Sequence, residues 1–245
     1  MNVVMALANA TVALHSEFRK NHKLKLNTGK VRFGRSPSLS HVFEREVASN
    51  LSEIYPEYLF LVDYPISLYD SNDKYLRTLY FDNLIIKGID IEKRKTSGTL
   101  VGILDLKIDL GYVDLREYGY DDQDLTKILA SSEFSKREEL ICSPNAIQFN
   151  YVVNAHSETE KQQNRDIGKL KVKIPPKFKK IAIVCTQHND HRRSESYSNA
   201  LRENGYEILF LLDQDCHPNR LDDLSKKIKK QIMGKSKEIS SMFEF

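Results

Sequence analysis

The chain has 245 residues, of which 40% are hydrophobic and 9% aromatic, and its formal net charge is +3 at pH 7. This composition suits a globular protein with a sizeable core. Three scattered cysteines exclude a disulfide framework and favour a reducing, cytoplasmic location. No stretch approaches about 18 consecutive apolar residues, so we expect neither a membrane-spanning helix nor a membrane partner.

The chain begins with a predicted amphipathic helix, which is followed by a basic arm. The stripe of this helix consists of Val4, Leu7, Thr11 and Leu14. Residues 19–35 then contain seven Lys or Arg and no acid. The arm is either a solvated segment or a contact surface for a polyanion such as nucleic acid, with Lys30 and Arg32 as candidate DNA contacts.

A second helix is predicted for residues 38–56, with apolar residues at helical spacing and a proline at its end. Glu46 falls within the apolar stripe, so the spacing places it on the core-facing side, whereas Glu44 and Arg45 point elsewhere. The second helix therefore carries one predicted inward carboxylate.

Three strand-like runs follow the second helix, and the polar segments between them predict an antiparallel meander. These runs cover residues 58–69, 75–88 and 99–112. We interpret residues 113–178 as an insertion or subdomain that contains a short helix and a strand.

A strand–helix–strand unit is predicted after this insertion. Apolar strands at 180–186 and 206–213 flank a helix that ends at Gly205, which predicts parallel pairing of the two strands. Arg192 and Arg193 lie where the chain enters this helix. They are candidate phosphate or base contacts, and a solvated loop is the alternative.

The C-terminal segment predicts an amphipathic helix with lysines opposite its apolar face. That face consists of Leu221, Leu224, Ile228 and Ile232. We interpret the segment as a docked surface helix, with DNA contact or dimerisation as the alternative. The predicted organisation is a helix and basic arm (1–37), a core that includes the insertion (38–215) and the C-terminal helix (216–245).

Charged residues interrupt two strands that are otherwise apolar. Side chains alternate along a strand, so Asp105 and Lys107 share a face, and Asp82 lies within the apolar run of the preceding strand. Desolvation of an isolated charge costs several kcal/mol, so such groups persist when they are paired or when they bind a metal. An Asp-x-Lys alone is most simply a salt bridge.

The order of these residues along the chain resembles the PD-(D/E)xK nuclease superfamily, the fold of many restriction endonucleases. The matching positions are Asp82 in YFDNLII, Asp105-Leu106-Lys107 in ILDLK, and Glu46 as the helix glutamate. Phe81 stands where the family often has a proline before the first acid. The resemblance covers residues 38–112 and 180–213.

The resemblance implies an α/β fold with a restriction-endonuclease-like core, in which helices flank a central mixed β-sheet, with an insertion and a C-terminal helix added. It also implies an endonuclease that hydrolyses double-stranded DNA, most simply a type II restriction or phage-defence enzyme, with repair or transposition as other roles. The implied cofactor is Mg²⁺, with Mn²⁺ as an alternative. A homodimer would be the simplest way to cut both strands.

The resemblance also assigns roles to the residues. Asp82, Asp105 and the main-chain carbonyl of Leu106 would bind the metal. Lys107 would orient the attacking water or stabilise the developing negative charge, and Glu46 would complete the cluster.

Two other functional classes stay open. One is a catalytically inactive nucleic-acid-binding protein that keeps the fold and uses its lysine-rich segments for phosphate contact. The other is a structural or interaction protein in which the acids and the lysine form ordinary ion pairs. Walker-type, G-x-G-x-x-G and G-x-S-x-G motifs do not occur in the sequence, which argues against nucleotide-hydrolysing, dinucleotide-binding and α/β-hydrolase functions.

Overall fold

The computed structural model describes residues 1–27, 40–69, 75–90, 93–109, 139–142, 170–186, 195, 198–199, 201–203, 205–213 and 224–245. Within this part of the chain the helices are α1 (Val3–Asn27), α2 (Ser40–Ile54), α3 (Leu224–Gly234) and α4 (Ser236–Met242). The strands are β1 (Tyr58–Tyr69), β2 (Tyr75–Lys87), β3 (Ser97–Asp109), β4 (Glu139–Cys142), β5 (Leu170–Lys173), β6 (Lys179–Thr186) and β7 (Glu207–Leu212). The predicted domain borders at 37/38 and 215/216 lie outside the described residues.

The strands pair in the order β2-β1-β4-β5-β3-β6-β7, with a further pairing between β2 and β3. β1 is antiparallel to β2 and to β4, and β4 is antiparallel to β5, whereas β3 is parallel to β5 and β6 is parallel to β7. The sheet is therefore mixed and is flanked by helices, which confirms the predicted α/β class and the predicted parallel pair β6–β7. The restriction-endonuclease-like core stays a prediction.

The first three strands begin and end close to their predicted positions, but β4 and β5 were not predicted. They are short strands within 113–178, where the apolar pattern is weak. The helix and strand that we predicted inside this region lie outside the described residues.

The chain divides into two compact units, and the border runs through β3 between Ile103 and Leu104. Unit 1 comprises Met1–Pro56, Leu104–Tyr120 and Lys180–Phe245; unit 2 comprises Glu57–Ile103 and Asp121–Lys179. The second half of β3, which carries Asp105 and Lys107, therefore belongs to the same unit as the described helices.

In unit 1, helices cover both faces of β6. Every residue from Ile181 to Thr186 is buried. Val184 packs with Leu201 of the helical segment that follows β6, and the Sγ atom of Cys185 lies 4.0 Å from Nε2 of His15 on α1. Because successive side chains point to opposite faces of a strand, cover on both sides explains an apolar run without polar alternation.

The predicted stripe of α1 is confirmed, since all four of its residues are buried. The helix continues to Asn27 and so includes the first part of the basic arm. The described helices are too short or too polar to cross a membrane.

The turn between the helical segment and β7 closes as the sequence predicts. Gly205 has a φ of +79°, and the N–H of Gly205 donates to the carbonyl of Arg202 at 2.9 Å. The N–H of Tyr206 donates to the carbonyl of Leu201 at 3.0 Å. These two bonds form a Schellman motif, in which glycine accepts the left-handed conformation without a Cβ clash.

Unit 2 has its own core, which packs around β1, β2, β5 and the first half of β3. Its buried residues are Leu61, Phe81, Leu84, Ile86, Leu100, Ile103, Leu170 and Val172. A Cβ added at Gly98 would lie 2.6 Å from the carbonyl oxygen of Lys87 and 2.8 Å from Cγ1 of Ile89. Gly98 therefore permits the close approach of β3 to the end of β2.

The C-terminal segment forms two helices instead of the single predicted one, and the break falls at Lys235. Ile228 and Ile232 are fully buried, as predicted. The chain end is anchored in unit 1, because the hydroxyl of Tyr55 donates to the carbonyl of Phe243 at 3.0 Å.

Candidate active site

Asp105 and Lys107 form a direct ion pair in the second half of β3. The Nζ atom of Lys107 lies 2.6 Å from Oδ1 of Asp105, and the two side chains are 26% and 19% exposed. Leu104 and Leu106, whose side chains point to the other face of the strand, are almost fully buried. The prediction that Asp105 and Lys107 share a face is confirmed.

The surroundings of this pair set it apart from an exposed pair of similar length. Nζ of Lys93 lies 2.8 Å from Oδ2 of Asp90, but those side chains are 83% and 35% exposed. Exposed pairs typically contribute about 0–1 kcal/mol, because water screens the charges. The side chains of Asp105 and Lys107 are more buried than those of Asp90 and Lys93, so water screens the pair less and the two charges interact more strongly.

Asp82 lies on β2, in unit 2. It is partly exposed, and it alternates with Leu84 and Ile86, both of which belong to the core of that unit. Its immediate neighbours, Phe81 and Asn83, are buried. A carboxylate therefore does interrupt a buried run of β2, as the sequence indicated, but it belongs to a different unit from Asp105 and Lys107.

The predicted orientation of the α2 glutamates is wrong. Glu44 is 5% exposed, whereas the Glu46 side chain is 31% exposed and lies 3.0 Å from the guanidinium of Arg45. Oε2 of Glu44 lies 3.3 Å from Nδ1 of His41, one turn earlier. The inward carboxylate of α2 is therefore Glu44.

The geometry of an α-helix explains this reversal. The buried stripe runs through Phe43, Val47 and Leu51. With 3.6 residues per turn, each step of four residues overshoots a full turn by about 40°, so the stripe drifts toward the position after each member. Glu44 is the position after Phe43, so it lies within the buried face. A stripe drawn from Phe43 in a step of three residues would instead place Glu46 on that face.

The resemblance predicts oxygen ligands for a hard cation in this region. Mg²⁺ is held by one or two carboxylates, with waters and phosphate oxygens completing its coordination. The predicted ligands are the carboxylate of Asp105 and the main-chain carbonyl of the neighbouring Leu106. Among the described residues, no group of three or more His, Cys, Asp or Glu side chains could hold a metal ion.

The four residues predicted to contact DNA, Lys30, Arg32, Arg192 and Arg193, lie outside the described residues. The described part of the chain does contain a basic surface, on α3. Lys226, Lys227, Lys229 and Lys230 are all exposed there. The sequence pattern placed lysines opposite the apolar face of this helix, for which we predicted a docked surface helix, with DNA contact or dimerisation as the alternative.

Comparison of the chain with protein-family models, with curated proteins and with solved structures found no match. The resemblance to the PD-(D/E)xK nucleases therefore stays a prediction, and it depends on the residues described above.

Proposed function

We propose that the protein is a metal-dependent endonuclease that hydrolyses phosphodiester bonds in double-stranded DNA, of the restriction or phage-defence type. One observation supports this proposal above the others. Asp105 and Lys107 form a 2.6 Å pair with about three quarters or more of each side chain buried, inside an otherwise apolar strand. Such a pair is costly to desolvate and often contributes little net stability, so a chemical role accounts for it better than a structural one does.

Each member of the pair has a chemical task. The ammonium of Lys107 is a point charge with three donors, and it would orient the attacking water or stabilise negative charge that develops on the phosphate oxygens. The carboxylate of Asp105 fixes the position of Lys107 before substrate binds. Because both side chains come from one strand, the two groups are preorganised, and little reorganisation is needed during the reaction.

Asp105 and the carbonyl of Leu106 would hold Mg²⁺. The metal role of Asp82, which lies in unit 2, rests on the resemblance alone. Bound Mg²⁺ would supply Lewis-acid chemistry, which lowers the pKa of a bound water and offsets charge on the phosphate. Glu44 replaces Glu46 as the helix carboxylate in this proposal, because Glu44 is the buried one.

A cleavage assay tests the proposal. The protein is incubated with unmethylated phage genomic DNA, which offers many sequences, in the presence of Mg²⁺, Mn²⁺ or EDTA. We expect cleavage that requires the metal, and a loss on the order of 10² to 10³ in rate for Asp105→Ala and for Lys107→Ala. Asp82→Ala and Glu44→Gln should also reduce the rate.

Matched control variants separate chemistry from general charge effects. Lys93→Ala removes the lysine of an exposed ion pair of similar length, and Glu46→Gln changes the exposed glutamate of α2. Both should cut at the rate of the unchanged protein. If Lys107→Ala, shown to be folded by thermal unfolding, cuts as fast as Lys93→Ala, the proposed role of Lys107 is wrong.

A second candidate function is nucleic-acid binding without cleavage. The observation that favours it is the ion pair between Asp105 and Lys107. Lys107 already neutralises the Asp105 carboxylate, which the nuclease proposal assigns to the metal. Under this alternative the protein binds DNA in EDTA, cuts no substrate with either metal, and retains its affinity when Lys107 is replaced by alanine.

A further inference from the structure

The exposed side of α3 is rich in positive charge. Four of the eleven residues of α3 are lysines, at positions 226, 227, 229 and 230, and all four are exposed. No acidic residue occurs anywhere from Leu224 to Lys237 in the sequence. We call these four residues the lysine face.

The lysine face is not required for docking α3. The helix packs against α1 and β7 through its opposite side, where Ile228 and Ile232 are fully buried. A polar contact of α3 is also made by a residue outside the lysine face: the side chain of Gln231 accepts a hydrogen bond of 3.1 Å from the N–H of Asp213. Substitutions on the lysine face should therefore leave the packing of the helix intact.

Lys235 shows how a lysine of the same segment serves the fold. It lies just after α3, is 24% exposed, and its Nζ donates to the carbonyl of Phe210 and lies 3.4 Å from Oδ1 of Asp213. The lysine face differs from it in exposure, since all four of its residues are exposed.

The position of the lysine face disfavours the helix itself. Lys226 and Lys227 lie in the first turn, where the positive end of the helix dipole repels cations, and the first turn contains no acid. Lys226 and Lys230 are four residues apart, so their like charges are neighbours on the surface. A sequence that breaks local helix rules on an exposed face is typical of a functional surface.

We propose that the lysine face binds the phosphate backbone of nucleic acid. This inference rests on the proposed function and assigns a contact surface for its substrate. Lysines on one helix face lie only about 1.5 Å apart along the axis for each residue, and their mobile ammonium groups can follow the closely spaced phosphates of a duplex. Lysine contacts to phosphate raise affinity for all sequences alike, so the lysine face supplies attraction and register without sequence recognition.

The burial of the apolar side favours nucleic acid over a membrane as the partner. A helix that lies in a membrane interface inserts its apolar face between lipids. In α3 that face is occupied by the protein core, since Ile228 and Ile232 have no exposed surface. A charged partner that contacts the lysine tips alone, such as a DNA backbone, fits this arrangement.

The test measures binding of a fluorescent DNA duplex by anisotropy in EDTA, so that cleavage cannot occur. The double variant Lys227→Gln/Lys230→Gln is compared with Lys93→Gln/Lys95→Gln, which removes the same two charges from the exposed turn before β3. We expect the α3 variant to bind on the order of tenfold more weakly, and the slope of log affinity against log salt to fall by about two, with the loss equal for duplexes of different sequence. The turn variant should bind like the unchanged protein.

Several outcomes would overturn the inference. Equal losses in the two double variants would mean that net charge attracts DNA without a defined surface. Normal DNA binding by the α3 variant, or a loss confined to binding of phosphatidylserine-containing vesicles, would exclude the lysine face as a DNA contact. These results are distinct from a failure of the nuclease proposal, in which the protein binds DNA through the lysine face but cuts none with Mg²⁺ or Mn²⁺.

Discussion

Two charged regions of unit 1 differ in how far their charges are exposed to solvent. On β3, an acid and a lysine lie 2.6 Å apart and are largely withdrawn from water. On α3, four lysines are exposed, and no acid occurs between Leu224 and Lys237. The first region holds its charges in a partly buried ion pair, whereas the second keeps its charges at the surface.

This difference determines what each region can do. A partly desolvated pair acts strongly on groups within hydrogen-bond distance, which suits chemistry at a single bond. An exposed row of like charges acts over about a Debye length and is weakened by salt, which suits the capture of a charged polymer. The proposals for the two regions can therefore be tested separately, because activity and stability report on β3 and salt-dependent binding reports on α3.

The largest effect that we expect is the loss of cleavage when the β3 pair is broken. Lys107→Ala should lower the cleavage rate by a factor on the order of 10² to 10³, because one preorganised charge at the reacting phosphate is lost. The measurement is a time course of DNA cleavage in Mg²⁺ alongside DNA binding in EDTA. Affinity should change little, so a variant that loses binding and cleavage together would contradict the division of roles between β3 and α3.

The next largest effect is on the free energy of unfolding, and it tests whether Asp105 and Lys107 depend on each other. Lys107→Met leaves the Asp105 carboxylate largely buried beside an apolar group, and it should lower the free energy of unfolding by about 2 kcal/mol, less than for a fully buried pair because both side chains keep some exposure. Asp105→Asn/Lys107→Met should recover much of this loss, as measured by urea unfolding. Strictly additive single changes would show that the two groups do not depend on each other.

A smaller effect distinguishes the two glutamates of α2. Glu44→Gln should lower the free energy of unfolding by about 1 kcal/mol, because Glu44 is buried and lies 3.3 Å from His41. Glu46→Gln should stay within about 0.5 kcal/mol, since it changes only a half-exposed contact with Arg45. A larger loss for Glu46→Gln than for Glu44→Gln would mean that α2 faces the core as the apolar spacing first suggested.

The smallest effect has opposite signs for stability and for binding. Lys227→Glu places an acid in the first turn of α3, three residues before Lys230, so the melting temperature should rise by about 1–2 °C. The same change should weaken DNA binding more than Lys227→Gln does. A fall in both quantities would indicate that Lys227 contributes to the fold, which would remove it from the lysine face.

Sequence reasoning succeeded where local pattern and tertiary environment agree. β1 and the pair β6–β7 were predictable because β-branched and apolar runs between clear turns have few alternatives. The end of the helical segment at Gly205 was predictable because a left-handed C′ position favours glycine. β4 and β5 were not predicted, since strands of four residues give too few positions for a periodic pattern and form only where neighbouring strands provide partners.

By itself the sequence determined the alternation that puts Asp105 and Lys107 on one face, the apolar character of the strand around them, and the clustering of lysines opposite Ile228 and Ile232. Those properties follow from backbone periods of two and 3.6 residues, which act within a single element. The tertiary structure decided which glutamate of α2 is buried, that the C-terminal segment breaks at Lys235, and how much water remains around the β3 pair. These depend on which neighbouring elements cover each face, and contacts between residues far apart in the chain decide that.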